Sequence, residues 1–334
     1  MSYASRRSSY LLGSVGGTLQ VFAGWWDVYS HLLAGKVDPW WNPAHLMLYT
    51  GVAIVIVAVL LSRNKKHPQV PALGPIRFVN SAGLKIAGFG CGVQIVAGVW
   101  DEIVHHVLGE PRIAPAYALL TFGMLVVNFG IVVGLAIEYG MIRQGIVVVS
   151  APKKWAVYCS MIFVFASIWL VLAGDLIYAA GILRQTWFDW VSAMLMSVVA
   201  TLVLVPAKRI LSKFGSAILI GVVFNGVAYL LLVYYVRTPG YFPLGMIPVA
   251  LFELLVVSLK RVMRMNSAIV FSASVVGLLF YATYYPFTSY LFPWSAEPTI
   301  LLASLFIAGL VGALTGQQIF SGLSSVVLGE ISRR

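Results

Sequence analysis

The sequence predicts an all-α polytopic membrane protein, about ten transmembrane helices arranged as five hairpins, and three observations predict it. Of the 334 residues 60% are hydrophobic and only 10% charged, with a mean hydropathy of +0.92, where a soluble domain carries roughly a quarter charged residues. Apolar runs long enough to cross a bilayer, about 20 residues each, recur along the whole length. The basic residues gather in alternate loops, as they do when those loops face the cytoplasm.

Taken in order, the expected spans are 10–34, 44–62, 79–108, 115–139, 155–181, 187–206, 215–236, 241–258, 267–291 and 298–319. Arg63, Lys65 and Lys66 follow the second span; Arg143, Lys153 and Lys154 the fourth; Lys208, Arg209 and Lys213 the sixth; Lys260, Arg261 and Arg264 the eighth. Arg6, Arg7, Arg333 and Arg334 lie at the ends, whereas the other loops hold only Lys36, Arg112, Arg184 and Arg237. This asymmetry places both termini in the cytoplasm. The opposite turns are rich in Pro, Trp and Gly, such as Asp38-Pro39-Trp40-Trp41-Asn42-Pro43 and Pro293-Trp294, which suits the headgroup layer. The first apolar stretch has no small-residue cleavage site and is expected to be a retained helix.

The net charge of +11 is scattered between spans rather than massed on one aromatic-bearing face, so nucleic acid is excluded as a partner. Cys91 and Cys159, both within spans, exclude a disulfide framework or a CxxC site. With no linker or low-complexity stretch visible, residues 1–334 are expected to form one membrane domain. Its partner is the bilayer of the cell membrane, with other membrane subunits or further copies of the chain as additional ones.

An internal repeat is the most informative feature. Gln20, Ala23, Gly24, Trp26, Asp27, His31 and Gly35 recur at one constant offset as Gln94, Ala97, Gly98, Trp100, Asp101, His105 and Gly109. After a two-residue deletion, Pro43-Ala44-His45 matches Pro115-Ala116-Tyr117, and Gly51 matches Gly123. A shared Gln, Trp, Asp and His in one register marks the first two hairpins, residues 10–139, as duplicated copies. Residues 155–319 supply the additional hairpins.

Four of the five histidines fall in these copies; His67 lies in a basic loop. Gln20, Gly24, Asp27 and His31 form one stripe on a helix, with Asp27 and His31 about one turn apart. Asn42 is a favourable N-cap and Pro43 a favourable first helical residue, so His45 is expected in the first turn of the second helix, facing His31 across a short turn. One carboxylate and two imidazoles then converge, a set that suits copper, zinc or iron without choosing among them. Gln20 and Gln94 are expected to support the ligands by hydrogen bonding. In the second copy Asp101 and His105 repeat the pair, Tyr117 stands where the second histidine would, and His106 pairs with Glu102 at i, i+4. The plainer alternative is that the Asp–His pairs only lock helices together. The cost of a charged group within a span, roughly 2.5–3.5 kcal/mol, favours function.

Further along, Glu138 is expected to be solvated at the cytoplasmic end, while Asp175 and Glu253 suit a proton path or helix packing equally. Tyr281, Tyr284 and Tyr285 beside Pro286 suit packing and an interfacial belt.

The run Asp27-Val28-Tyr29-Ser30-His31, thirteen residues, then His45 within Asn-Pro-Ala-His-Leu-Met-Leu-Tyr resembles the metal motif of the C subunit of particulate methane and ammonia monooxygenases, the copper membrane monooxygenases. The resemblance covers residues 15–125. It implies that Asp27, His31 and His45 bind copper in the membrane, that Asp101 and His105 correspond to a second motif, and that the chain is a component of a copper-dependent oxidoreductase working with other subunits. The first inter-histidine spacing is one residue longer than in that family, the second copy has Tyr117 for a histidine, and several helices are additional. The alternative reading is a transporter of metal ions or protons that uses the Asp/His stripes, since repeats with a site between them are common in transporters.

Overall fold

The computed structural model describes the backbone over residues 3–34, 41–63, 74–108, 115–183, 186–236, 242–291 and 298–328. Side chains near several helix ends, those of His31, His105 and His106 among them, lie outside the described residues, as do His67 and the tyrosines at 281, 284 and 285. Among the described residues the chain is ten helices: α1 (Tyr3–Ala34), α2 (Pro43–Arg63), α3 (Gly74–Leu108), α4 (Pro115–Arg143), α5 (Ala151–Leu183), α6 (Thr186–Leu211), α7 (Ser216–Val236), α8 (Phe242–Leu259), α9 (Met265–Leu291) and α10 (Pro298–Leu328). Every expected span is found as a helix. Several run a turn or more beyond their apolar stretch, because a helix continues into the headgroup region wherever capping allows, whereas hydropathy ends at the hydrocarbon. Among the described residues six segments are long and apolar enough to cross a membrane: Pro43–Ser62, Ala82–Ile103, Pro115–Arg143, Ala151–Leu176, Met194–Leu211 and Ser304–Gly322.

The chain forms two compact units, Met1–Val171 with Leu323–Arg334, and Leu172–Gly322. In the first, α1 packs along α2 and α3 along α4, with lesser contacts of α1 on α4 and α2 on α3. Glycines let these helices approach. A methyl group on Gly51 would come within 2.7 Å of the Gly16 carbonyl oxygen, and one on Gly123 within 2.9 Å of the Gly90 carbonyl oxygen. Gly16 and Gly90 are equivalent positions of the repeat, as are Gly51 and Gly123, so each copy closes on itself at the same small-residue crossing. Without a hydrophobic drive between helices in lipid, such close backbone packing is what holds them. The first part of α5 belongs to this unit: Trp25 Nε1 donates to the Leu170 carbonyl at 2.6 Å, and Ser167 Oγ lies 3.3 Å from Thr18 Oγ1.

Glu138 departs from expectation. It is fully buried, 3.7 Å from the equally enclosed Arg7 guanidinium. Its position near the helix end suggested water, but the first turns of α1 cover it and bring a cation, so it is neutralised by pairing instead.

In the second unit α8 packs against α7 and α9, and α6 against α9. Ser197 of α6 donates to the Leu305 carbonyl of α10 at 3.2 Å. Pro206 lies inside the continuous α6 and lacks the N–H that would bond the Leu202 carbonyl. Gly316 of α10 passes there, its ideal Cβ 3.1 Å from both the Leu202 oxygen and Pro206 Cδ. Glu253 takes part in helix packing: it accepts from Lys208 Nζ and, at 2.8 Å, from the Ala217 backbone N–H at the start of α7. Lys208 also donates to the Lys213 carbonyl at 3.0 Å. The pair therefore clips the 212–215 turn, where Ser212 and Gly215 have φ of 52° and 83°, against α8.

Two outcomes follow. Gly51→Val and Gly123→Val will each lower stability by about 1–3 kcal/mol through overpacking, whereas Gly92→Ala, with open space around it, will not, as thermal unfolding in mild detergent will report. Glu253→Gln will cost roughly 3–5 kcal/mol by stranding buried Lys208, and adding Lys208→Met will recover part of that loss.

Candidate metal site at the repeat interface

The first copy assembles as its caps dictate. Asn42 Oδ1 accepts from the Ala44 N–H at 3.1 Å and the Asn42 carbonyl from the Leu46 N–H at 3.0 Å, so α2 starts at Pro43 and His45 stands in its first turn. Asp27 lies about two turns from the end of α1. Across the junction of the two helices His45 Nε2 is 3.0 Å from Asp27 Oδ1, with the side chains 23% and 17% exposed. Both groups are thus reachable yet largely desolvated, which strengthens their attraction.

The distance also tests whether the donors fit a metal. Oxygen and nitrogen ligands about 2.0–2.1 Å from one ion, at angles of 90–110°, are roughly 2.9–3.4 Å apart. The observed separation falls in that range, so Asp27 and His45 are spaced as two ligands of one ion would be. A third donor is needed. Among the described residues no three of His, Cys, Asp and Glu form a metal-holding group; the side chains of His31, His105 and His106 are outside that set.

Tyr49, one turn inward of His45, is a neighbour of the candidate site that sequence reasoning passed over. Its hydroxyl rests on α3 at Gly98, where a Cβ would stand 3.3 Å from it. The carboxylates of Asp101, Glu102 and Asp27 all lie within electrostatic reach of it. Acidic groups of both copies therefore act electrostatically on one phenol. The signal was present in the spacing, since Tyr49 is four residues from His45 on the same helix face, but only the packing of α2 on α3 shows what that face meets. Tyr117 is half-buried in the first turn of α4.

Gln20 and Gln94 bond to each other: Gln94 Nε2 donates to Gln20 Oε1 at 2.9 Å, both side chains buried. They lie seven residues, about 10 Å along their helices, inward of Asp27 and Asp101. That is too far for either glutamine to support a carboxylate directly. Their role is different. Equivalent residues of a repeat can meet only near the axis relating the copies, and the matched contacts of α1 on α4 and α2 on α3 agree with an approximate two-fold. Beside them buried Asn128 donates to the Met124 carbonyl at 2.9 Å and toward the Gly17 carbonyl at 3.4 Å. Cys91 is buried on α3, three residues inward of Gln94, and takes no part in the Asp27–His45 contact.

Gln20→Leu alone will destabilise the protein by about 1–3 kcal/mol because it strands the Gln94 amide, and the Gln20→Leu, Gln94→Leu double variant will be closer to the parent in thermal unfolding. No family model, curated protein or solved structure matches this chain.

Proposed function

We propose that this chain is a metal-binding integral membrane protein related to the C subunit of the copper membrane monooxygenases. In this reading it crosses the cell membrane ten times as five hairpins, with both termini in the cytoplasm. Asp27, His31 and His45 hold a copper ion near the outer leaflet; Asp101 and His105, with His106, hold or support a second. The observation that carries the reading is the 3.0 Å approach of Asp27 and His45, two groups brought together from separate helices in a medium where an uncompensated charge is costly. Copper, when bound, supplies one-electron redox chemistry. The chain's own contribution is to orient the carboxylate and imidazole, exclude bulk water, and keep a phenol, Tyr49, beside the acidic cluster. Zinc and iron fit the same donors, so metal analysis decides the ion.

Protein purified in mild detergent without chelator will carry stoichiometric copper. His45→Ala will lower metal affinity by roughly tenfold or more, whereas His67→Ala will leave it unchanged. Elemental analysis that finds no transition metal in the parent protein overturns the proposal.

One observation favours a second reading. Tyr49 of the first copy rests on Gly98 of the second, with carboxylates of both copies within electrostatic reach, at the interface of a repeat where repeat-built transporters bind their ions. Metal-ion or proton flux into proteoliposomes that is abolished by Asp27→Asn will identify a transporter; flux equal to that of empty vesicles excludes one.

A further inference from the structure

The Asp27–His45 pair has a sulfur neighbour that belongs to neither of their helices. Gly24 lies one turn inward of Asp27 on α1, and its missing side chain leaves a notch that a residue of α4 enters. A Cβ on Gly24 would stand 3.0 Å from Met124 Cε and 3.4 Å from Met124 Sδ. Met124 is buried, so its thioether is held between α1 and α4, which pack on each other.

The thioether therefore adjoins the carboxylate. Residues three apart on a helix have Cβ atoms about 5–6 Å apart. Helical side chains also lean toward the N-terminus, so Asp27 covers the turn that begins at Gly24. The Asp27 carboxylate in turn meets His45 Nε2 at 3.0 Å. The second copy shows the same register. There Gly98, the twin of Gly24, is covered by Tyr49, whose hydroxyl a Cβ would meet at 3.3 Å. Asp101, the twin of Asp27, acts electrostatically on that phenol. In each copy the group seated on the glycine comes from the other copy. A phenol fills that seat beside Asp101, and a thioether fills it beside Asp27.

That difference bears on which ion the first copy takes. Carboxylate and imidazole donors suit copper, zinc and iron alike, whereas a thioether is a soft donor that selects Cu(I). Methionine is unbranched with three rotatable bonds, so its sulfur can turn toward an ion while α4 stays in place. Met141, buried on the same helix, is 17 residues or about 25 Å further along it and has no such opportunity.

We infer that Met124 is a specificity-determining residue of the proposed site, its thioether joining Asp27 and His45 as the donor that makes Cu(I) the preferred ion. This rests on the reading of Asp27 and His45 as metal ligands and adds the oxidation state they receive. The full-length protein in mild detergent is titrated with Cu(I) against a chromophoric competitor under reducing conditions, and separately with Zn(II). Loss of even a supporting group costs a metal site about tenfold in affinity, so Met124→Leu is expected to lower Cu(I) affinity by at least that factor. Its Zn(II) affinity will stay at the parent value, because the swap nearly conserves volume and cores tolerate it. X-ray absorption of the Cu(I)-loaded parent will show a sulfur scatterer that Met124→Leu lacks. Gly24→Ala, which keeps the sulfur but sets a methyl against Met124, will also lower Cu(I) affinity, and Met141→Leu will match the parent throughout. Parent-like Cu(I) affinity in Met124→Leu, or equal losses for Cu(I) and Zn(II), overturns this inference and leaves the Asp27–His45 site standing. A parent protein that binds neither ion overturns both.

Discussion

A polar group inside a bilayer has no water to turn to, so each one must be satisfied by another part of the chain. That constraint organises what is seen here. Arg7 and Glu138, Lys208 and Glu253, Gln20 and Gln94, Asp27 and His45 are each contributed by two different helices. None of these pairs is a surface ornament. Each specifies which helices are adjacent and at what depth, because apolar side chains facing apolar lipid say little about register. Glycine crossings bring the backbones close enough for the pairs to form, and the pairs in turn select those crossings.

The duplication adds a second layer of consequence. When a hairpin is copied and the copies associate face to face, a residue near the axis meets its own twin. Gln20 and Gln94 do so, and a glutamine suits the position because one amide can donate while the other accepts. Residues further from the axis meet different partners, and the copies are free to diverge there. Divergence is visible at His45 and Tyr117. The first copy keeps an imidazole against its aspartate, and the second places its acidic turn, Asp101 and Glu102, near Tyr49 of the first. The asymmetry makes the first copy the stronger candidate for holding an ion.

The two units use charge differently. In the second, the carboxylate of Glu253 is engaged by Lys208 and the start of α7. In the first, Asp27 and His45 keep partial exposure. Accessibility, more than the presence of ionisable groups, separates a candidate site from a structural clip.

Much of this was legible in the residues alone. Hydropathy located ten helices, because the length of an apolar run is set by the thickness of lipid. Asn42 and Pro43 predicted the start of α2, because capping is local chemistry, and the repeat predicted a shared architecture for the first two hairpins. What only the tertiary structure decided is whom each polar residue meets. Glu138 reads as solvated until α1 covers it with Arg7, Gln20 reads as a helper of Asp27 until Gln94 is found against it, and Tyr49 reads as one more aromatic until α3 brings its carboxylates alongside. Local sequence determines conformation and depth along one helix axis, but rotation and neighbour choice depend on side chains far apart in the chain, which become adjacent only when the helices pack.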